Sequence, residues 1–162
     1  MGTGNVGRVG HVGRVEQVER VDQAGRADRV WRRANWALAA VVLLHLAINV
    51  LHGRAHSGAQ VPLSHAAALF VYVVILAGPL LGLAVSRWRP IAGAWIVAAS
   101  LGGALVFGLI NHFIVAGPDH VGHVAAEWRT LFGVTAALLL ATEGAGAAIG
   151  VWCATGRARR TS

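Results

Sequence analysis

The chain has 162 residues, of which 56% are hydrophobic and 13% charged, with a mean hydropathy of +0.58. That balance excludes an ordinary soluble domain, in which about a quarter of residues are charged, and predicts a small all-α membrane protein. The net charge of +7 and pI of 11.6 raise nucleic-acid binding. No RNA- or DNA-binding motif accompanies the arginines, so no nucleic acid partner is expected. All fourteen Lys and Arg positions are Arg, a usage that hints at a GC-rich bacterial genome. The lone Cys153 rules out an intrachain disulfide.

Residues 1–33 form a basic, low-complexity tail. Valine recurs at 6, 9, 12, 15, 18 and 21, followed by Ala24, Ala27 and Val30, a period of three that neither helix nor strand has. The Gly-rich 1–13 are expected to be disordered. A juxtamembrane helix over 14–33 would favour anionic headgroups by about 1 kcal/mol per arginine near the surface. More than thirty polar residues precede the first apolar run, so the start does not read as a secretory signal.

Four windows then supply the roughly 20 apolar residues that a membrane crossing needs: 34–53, 66–86, 91–116 and 130–153, together a transmembrane domain over 34–153, followed by a basic tail over 154–162. Short connections predict an up-down-up-down four-helix bundle. Seven arginines precede the first span, Arg87 and Arg89 lie between the second and third, and Arg157, Arg159 and Arg160 follow the fourth. Only Arg54 and Arg129 fall in the other two loops. Basic residues collect on cytoplasmic flanks, so both termini are expected inside, in an inner (plasma) membrane. Trp36, Trp88, Trp95 and Trp152 mark the inner boundary and Trp128 the outer one. Gly78 and Gly82, Gly146 and Gly150, and the row Ser100, Ala104, Gly108 are small residues four apart, a spacing that lets helices approach closely.

The first span carries a polar face, His45, Asn49, His52 and His56, in the stretch LHLAINVLHGRAH. Counting from the tryptophan belt at 1.5 Å per residue places His45, Glu143 and Pro79 each about 14 Å up, near mid-membrane. His45 and Glu143 are therefore expected to pair, either as a relay or as glue between helices. Pro79 cannot donate to the carbonyl of Ile75, which leaves an acceptor without its helical partner. His52 and His112 share a second level about 25 Å up.

The outer loops add His65, Asn111, Asp119, His120, His123 and Glu127, with Gly117-Pro118 ending the third span before a short interfacial helix. Two site chemistries follow. His52 with His56 and His120 with His123 can chelate Zn or Cu in a four-ligand site if both segments are helical, although Gly53 weakens the first pair. Alternatively, His52 and His112 can be axial ligands of a b-type haem, with Gly108 leaving room for the ring. In a third reading no cofactor is bound and the histidines serve headgroups and water. Asn49, Asn111, Asp119, Glu127 and His65 are supporting candidates in each case. No nucleotide-binding or nucleophile motif indicates an enzyme class. Binding of a metal or redox cofactor is thus expected, the rival being a cofactor-free structural or accessory subunit. The lipid bilayer is the expected partner. A homo-oligomer or a complex with another membrane protein stays open.

Overall fold

The structure, a computed structural model, describes residues 6–161; the side chains of 6–16, 18–20, 24, 27, 28, 158, 160 and 161 lie outside the description. All regular structure among the described residues is helical. Two compact units emerge, Met1–Asn35 and Trp36–Ser162. In the first, helix begins at Val6, so the expected disorder over 1–13 does not hold from residue 6 on; residues 1–5 lie outside the description. Once a helix is nucleated, each further residue adds one hydrogen bond, which offsets the poor propensity of glycine. Asp22 and Arg26, one turn apart and exposed, approach to 3.7 Å.

The second unit holds the bundle. Its helices are α1 (Val6–Gly58, which enters the bundle from Trp36), α2 (His65–Ser86), α3 (Pro90–Ile114) and α4 (Ala126–Thr161). Each contains a stretch long and apolar enough to cross a membrane. No more than 39% of any such window is buried, and Leu43, Leu51, Leu69, Tyr72, Leu81, Val106, Val134 and Leu138 face outward. An apolar exterior on all four helices is what hydrocarbon solvent requires, and the chain is a multi-pass membrane protein.

Cross-helix contacts give the directions. Leu38 and Val42 of α1 pack with Val97 and Leu101 of α3, and fourteen residues further on His52 meets His112, so α1 and α3 run parallel. On α4 the order reverses: Gly146 lies against Val41, Glu143 against His45 and Thr135 against His52. Phe70 stacks on Phe107, while Gly78 and Gly82 lie against Ser100 and Val97, so α2 is antiparallel to α3. The four spans therefore alternate in direction. Near the far end a second core joins Ala55 of α1 to Val124 and Phe132.

Two π-helical stretches interrupt the regular winding. Pro79 has no N–H for the Ile75 carbonyl, and α2 widens over Val71–Ala77, where Gly78 N donates to Val73 O. The last turn of α3, Ile110–Ile114, is also π-form and closes with Val115 N donating to Ile110 O at 2.8 Å. The loop beyond it folds back, Val121 N donating to His112 O at 3.0 Å. The short helix expected in that loop is absent. Turn bonds from His120 N to Gly117 O and from His123 N to His120 O follow the chain-reversing Gly117-Pro118 pair.

Candidate metal centre

His52 and His56 stand one turn apart on α1, so the helix presents both on one face. Gly53 between them remains helical. The π turn of α3 carries His112 to the same place. Ring centroids are 4.8 Å apart for His52 and His56, 4.9 Å for His52 and His112, and 5.8 Å for His56 and His112. All three rings pack on Phe132 of α4, itself fully buried. One nitrogen from each imidazole lies within 4.8 Å of the other two. Tetrahedral zinc with bonds of about 2.0 Å holds its nitrogens about 3.3 Å apart, so the triad would draw inward to close on an ion.

The hydrogen bonds assign the tautomers. Thr135 Oγ1 sits 2.7 Å from Leu131 O and 3.1 Å from Phe132 O, which engages its only proton. Toward His52 it can therefore only accept, and His52 Nδ1–H donates to it at 2.9 Å. His112 Nδ1 faces the carbonyl oxygen of Asp119 at 3.1 Å and its carboxylate Oδ1 at 3.3 Å, both acceptors, so this nitrogen too carries hydrogen. In the neutral rings both Nε2 atoms then present lone pairs, and these face each other at 3.2 Å. Two lone pairs at that distance repel unless a proton or a metal ion is shared between them. Second-group acceptors that hold one imidazole nitrogen protonated while the other points inward are the usual setting of metal-binding histidines.

Asp119, half-buried in the returning loop, lies 3.1 Å from His56 Nε2 as well. Three buried polar atoms border this region without an aligned hydrogen bond: His56 Nδ1, Asp119 Oδ1 and Glu143 Oε2. Buried polar atoms without partners are rare, and each calls for an ion, a water or a ligand.

Deeper in the bundle, the fully buried His45 approaches Glu143 Oε1 to 3.9 Å through Nδ1, just beyond hydrogen-bond length. Its Nε2 lies 3.3 Å from the Ile75 carbonyl freed by Pro79, which only accepts, and 3.0 Å from Asn49 Nδ2, which only donates. The two neighbours call for opposite tautomers. With hydrogen on Nε2 the ring serves Ile75, and Nδ1 can accept from a protonated Glu143. With hydrogen on Nδ1 it can donate to a Glu143 carboxylate while Nε2 accepts from Asn49. His45→Leu removes both options and is expected to lower stability by about 1–3 kcal/mol. In a cycle with Glu143→Leu the two losses should be non-additive by at least about 0.5 kcal/mol. Additive losses of thermal stability would show that the 3.9 Å approach carries no interaction.

The remaining candidates lie elsewhere. His120 and His123 form their own pair, ring centroids 5.1 Å apart. His123 Nδ1–H donates to Gly117 O at 2.8 Å and His120 Nδ1 accepts from Gly122 N at 3.1 Å. The structure groups His52 and His56 with His112 rather than with His120 and His123, because the loop forms turns instead of the helix that i, i+3 chelation needs. The haem arrangement does not fit this geometry: with the two Nε2 atoms 3.2 Å apart and the rings at 73°, no slot for a macrocycle separates them. Asn111 donates to Phe107 O within its own helix, and His65 and Glu127 are exposed.

Thr135 and Phe132 are the participants that the sequence alone does not single out, since a threonine and a phenylalanine in an apolar span carry no chemical signal. Thr135→Val keeps the shape and removes the acceptor for His52. It is expected to weaken zinc binding about 10- to 100-fold with the helical content unchanged, as measured by chelator competition and circular dichroism. Comparison with protein-family models, with curated proteins and with solved structures finds no match to this chain.

Proposed function

We propose that this protein binds a transition metal, Zn or Cu, at His52, His56 and His112, with Asp119 and Thr135 orienting the rings. The observation that carries this reading is the pair of inward Nε2 atoms 3.2 Å apart, each ring fixed from behind by an acceptor. An all-imidazole donor set suits Zn, Cu, Fe or Ni, and the first two accept the low coordination number available here. A cofactor-free accessory subunit would need a proton shared between the two Nε2 atoms and partners for the buried polar atoms around them. The arginine distribution supports an inner-membrane setting with both termini cytoplasmic, which puts the metal near the outward face.

Elemental analysis of the detergent-purified protein tests the reading. About one Zn or Cu per chain is expected, with no Soret band. Protein from metal-replete cells that holds no metal, and gains no thermal stability from added Zn or Cu, would overturn it. Alkaline phosphatase fused after Ser162 should be inactive; an active fusion would reverse the orientation.

A further inference from the structure

A cavity of about 420 Å³ lies between the histidine triad and Glu143. Besides the histidine triad, its polar lining is Asn49, Ser57, Tyr72, Asp119 and Glu143. The rest of the wall is apolar, built from residues such as Ile75, Leu76, Phe107 and Leu139. Small-molecule sites have this size and this sparse polarity, whereas water needs several polar partners per molecule. Val50 and Tyr72, both within membrane-spanning stretches, line the cavity and are exposed, as is Leu63 in the loop between α1 and α2.

The lining contains no arginine, and its formally charged residues are Asp119 and Glu143. An anionic phosphoryl group would find no arginine clamp there and the bound metal as its one positive partner, whereas a neutral carbonyl compound needs no such clamp. Glu143 is 2% exposed and its Oε2 has no hydrogen-bond partner. A Cβ placed on Gly108 would lie 3.8 Å from Glu143 Oε2 and 3.8 Å from His112 Cδ2. Cδ2 is bonded to Nε2, so the carboxyl looks across Gly108 at the metal-facing edge of His112.

Resting on the metal site proposed above, we infer that the cavity is a hydrolytic centre for a neutral, lipid-soluble ester or amide, with Glu143 as the proton acceptor. His52, His56 and His112 would hold the zinc, which when bound would supply an acidified water. Glu143 would take one proton from that water. The hydroxide oxygen adds to the acyl carbon, the bond to the ester oxygen or amide nitrogen breaks, and Glu143 returns the proton to the leaving group. The products are a carboxylic acid and an alcohol or amine, with no change of oxidation state. His45 accommodates both forms of Glu143, because each of its tautomers matches one of them. The apolar walls hold the acyl chain, and the lipid-facing rim admits it from the bilayer.

The test uses the zinc-loaded full chain in mixed micelles with methyl octanoate in ¹⁸O-labelled water. Zinc-dependent release of octanoic acid carrying one ¹⁸O is expected. Glu143→Gln should lower the rate at least about 100-fold with zinc content and melting temperature unchanged. Octanohydroxamic acid should bind wild type and Glu143→Gln at least about 10-fold more tightly than acetohydroxamic acid, because its chain fills the cavity. A zinc-replete protein with no hydrolysis above the zinc-free control overturns the inference and leaves the metal site standing. So does a Glu143→Gln rate within about threefold of wild type, or equal affinity for the two hydroxamates. A chain that binds no zinc overturns the metal site, and the inference with it.

Discussion

His112→Ala is expected to lower zinc affinity at least about 100-fold, whereas His120→Ala and His123→Ala leave it within about threefold. His112 is the imidazole that α3 contributes to the triad, the other two sharing one face of α1. Its removal leaves His52 Nε2 without a facing imidazole and strips Asp119 of the ring it holds at 3.1 and 3.3 Å. Two imidazoles on adjacent turns then remain, a weak chelate open to competing waters. Competition with a chromophoric chelator measures the change. Zinc can bind only unprotonated imidazole nitrogen, so protons compete with the metal, and wild-type affinity should fall as pH drops below about 6. A stoichiometric, tightly held zinc in His112→Ala would sink the three-histidine site. Loss of zinc in His120→Ala would return the site to the loop.

Gly93→Ala is expected to destabilise the bundle by about 3 kcal/mol, more than any single polar substitution at the site. A methyl group there would run into the backbone of Ser86 and Gly82 on α2. Gly82 is the reciprocal contact: its Cβ would lie 2.8 Å from Val97 N and 2.9 Å from Gly93 O. Backbone cannot rotate out of the way as a side chain does, so α2 and α3 must separate. In lipid, where apolar burial gives little preference for helix against helix, close packing is much of what holds them together. Gly102→Ala is the control, because the nearest atom to its Cβ would be Ala147 Cβ at 4.0 Å, an ordinary contact. It should be neutral or stabilising by up to about 1 kcal/mol, from the higher helix propensity of alanine. Equal thermal shifts for the two variants in detergent would mean that the α2–α3 approach is not a principal contact.

The helical ends illustrate the limits of hydropathy. The apolar window 34–53 stops short of His56, yet α1 continues to Gly58, and only that extra turn keeps His56 in register with His52. Glycine in mid-helix is unfavourable by about 1 kcal/mol, which packing on both sides overrides: Ala55 is fully buried against Val124 and Phe132.

By itself the amino-acid sequence determined the four membrane spans, their short connections and the concentration of arginine beside one set of ends. Each of these is a local sum: transfer free energy adds up over about twenty residues, whatever those residues later touch. The strained acceptor at Ile75 was legible for the same reason, since Pro79 lacks its N–H in any fold. Which histidines converge was not a local property. His52 meets His112 across 60 residues and Thr135 across 83, and those meetings depend on how far each helix is rotated about its axis. Small residues set that rotation by deciding where backbones can touch, as Gly82 and Gly93 do for α2 and α3. The loop after α3 likewise held back Asp119 until its turns were known. A helix there would have aligned His120 with His123, whereas the turns direct Asp119 onto His56 and His112. Only tertiary structure could choose between them, because both outcomes use the same residues and differ in which hydrogen bonds the backbone makes.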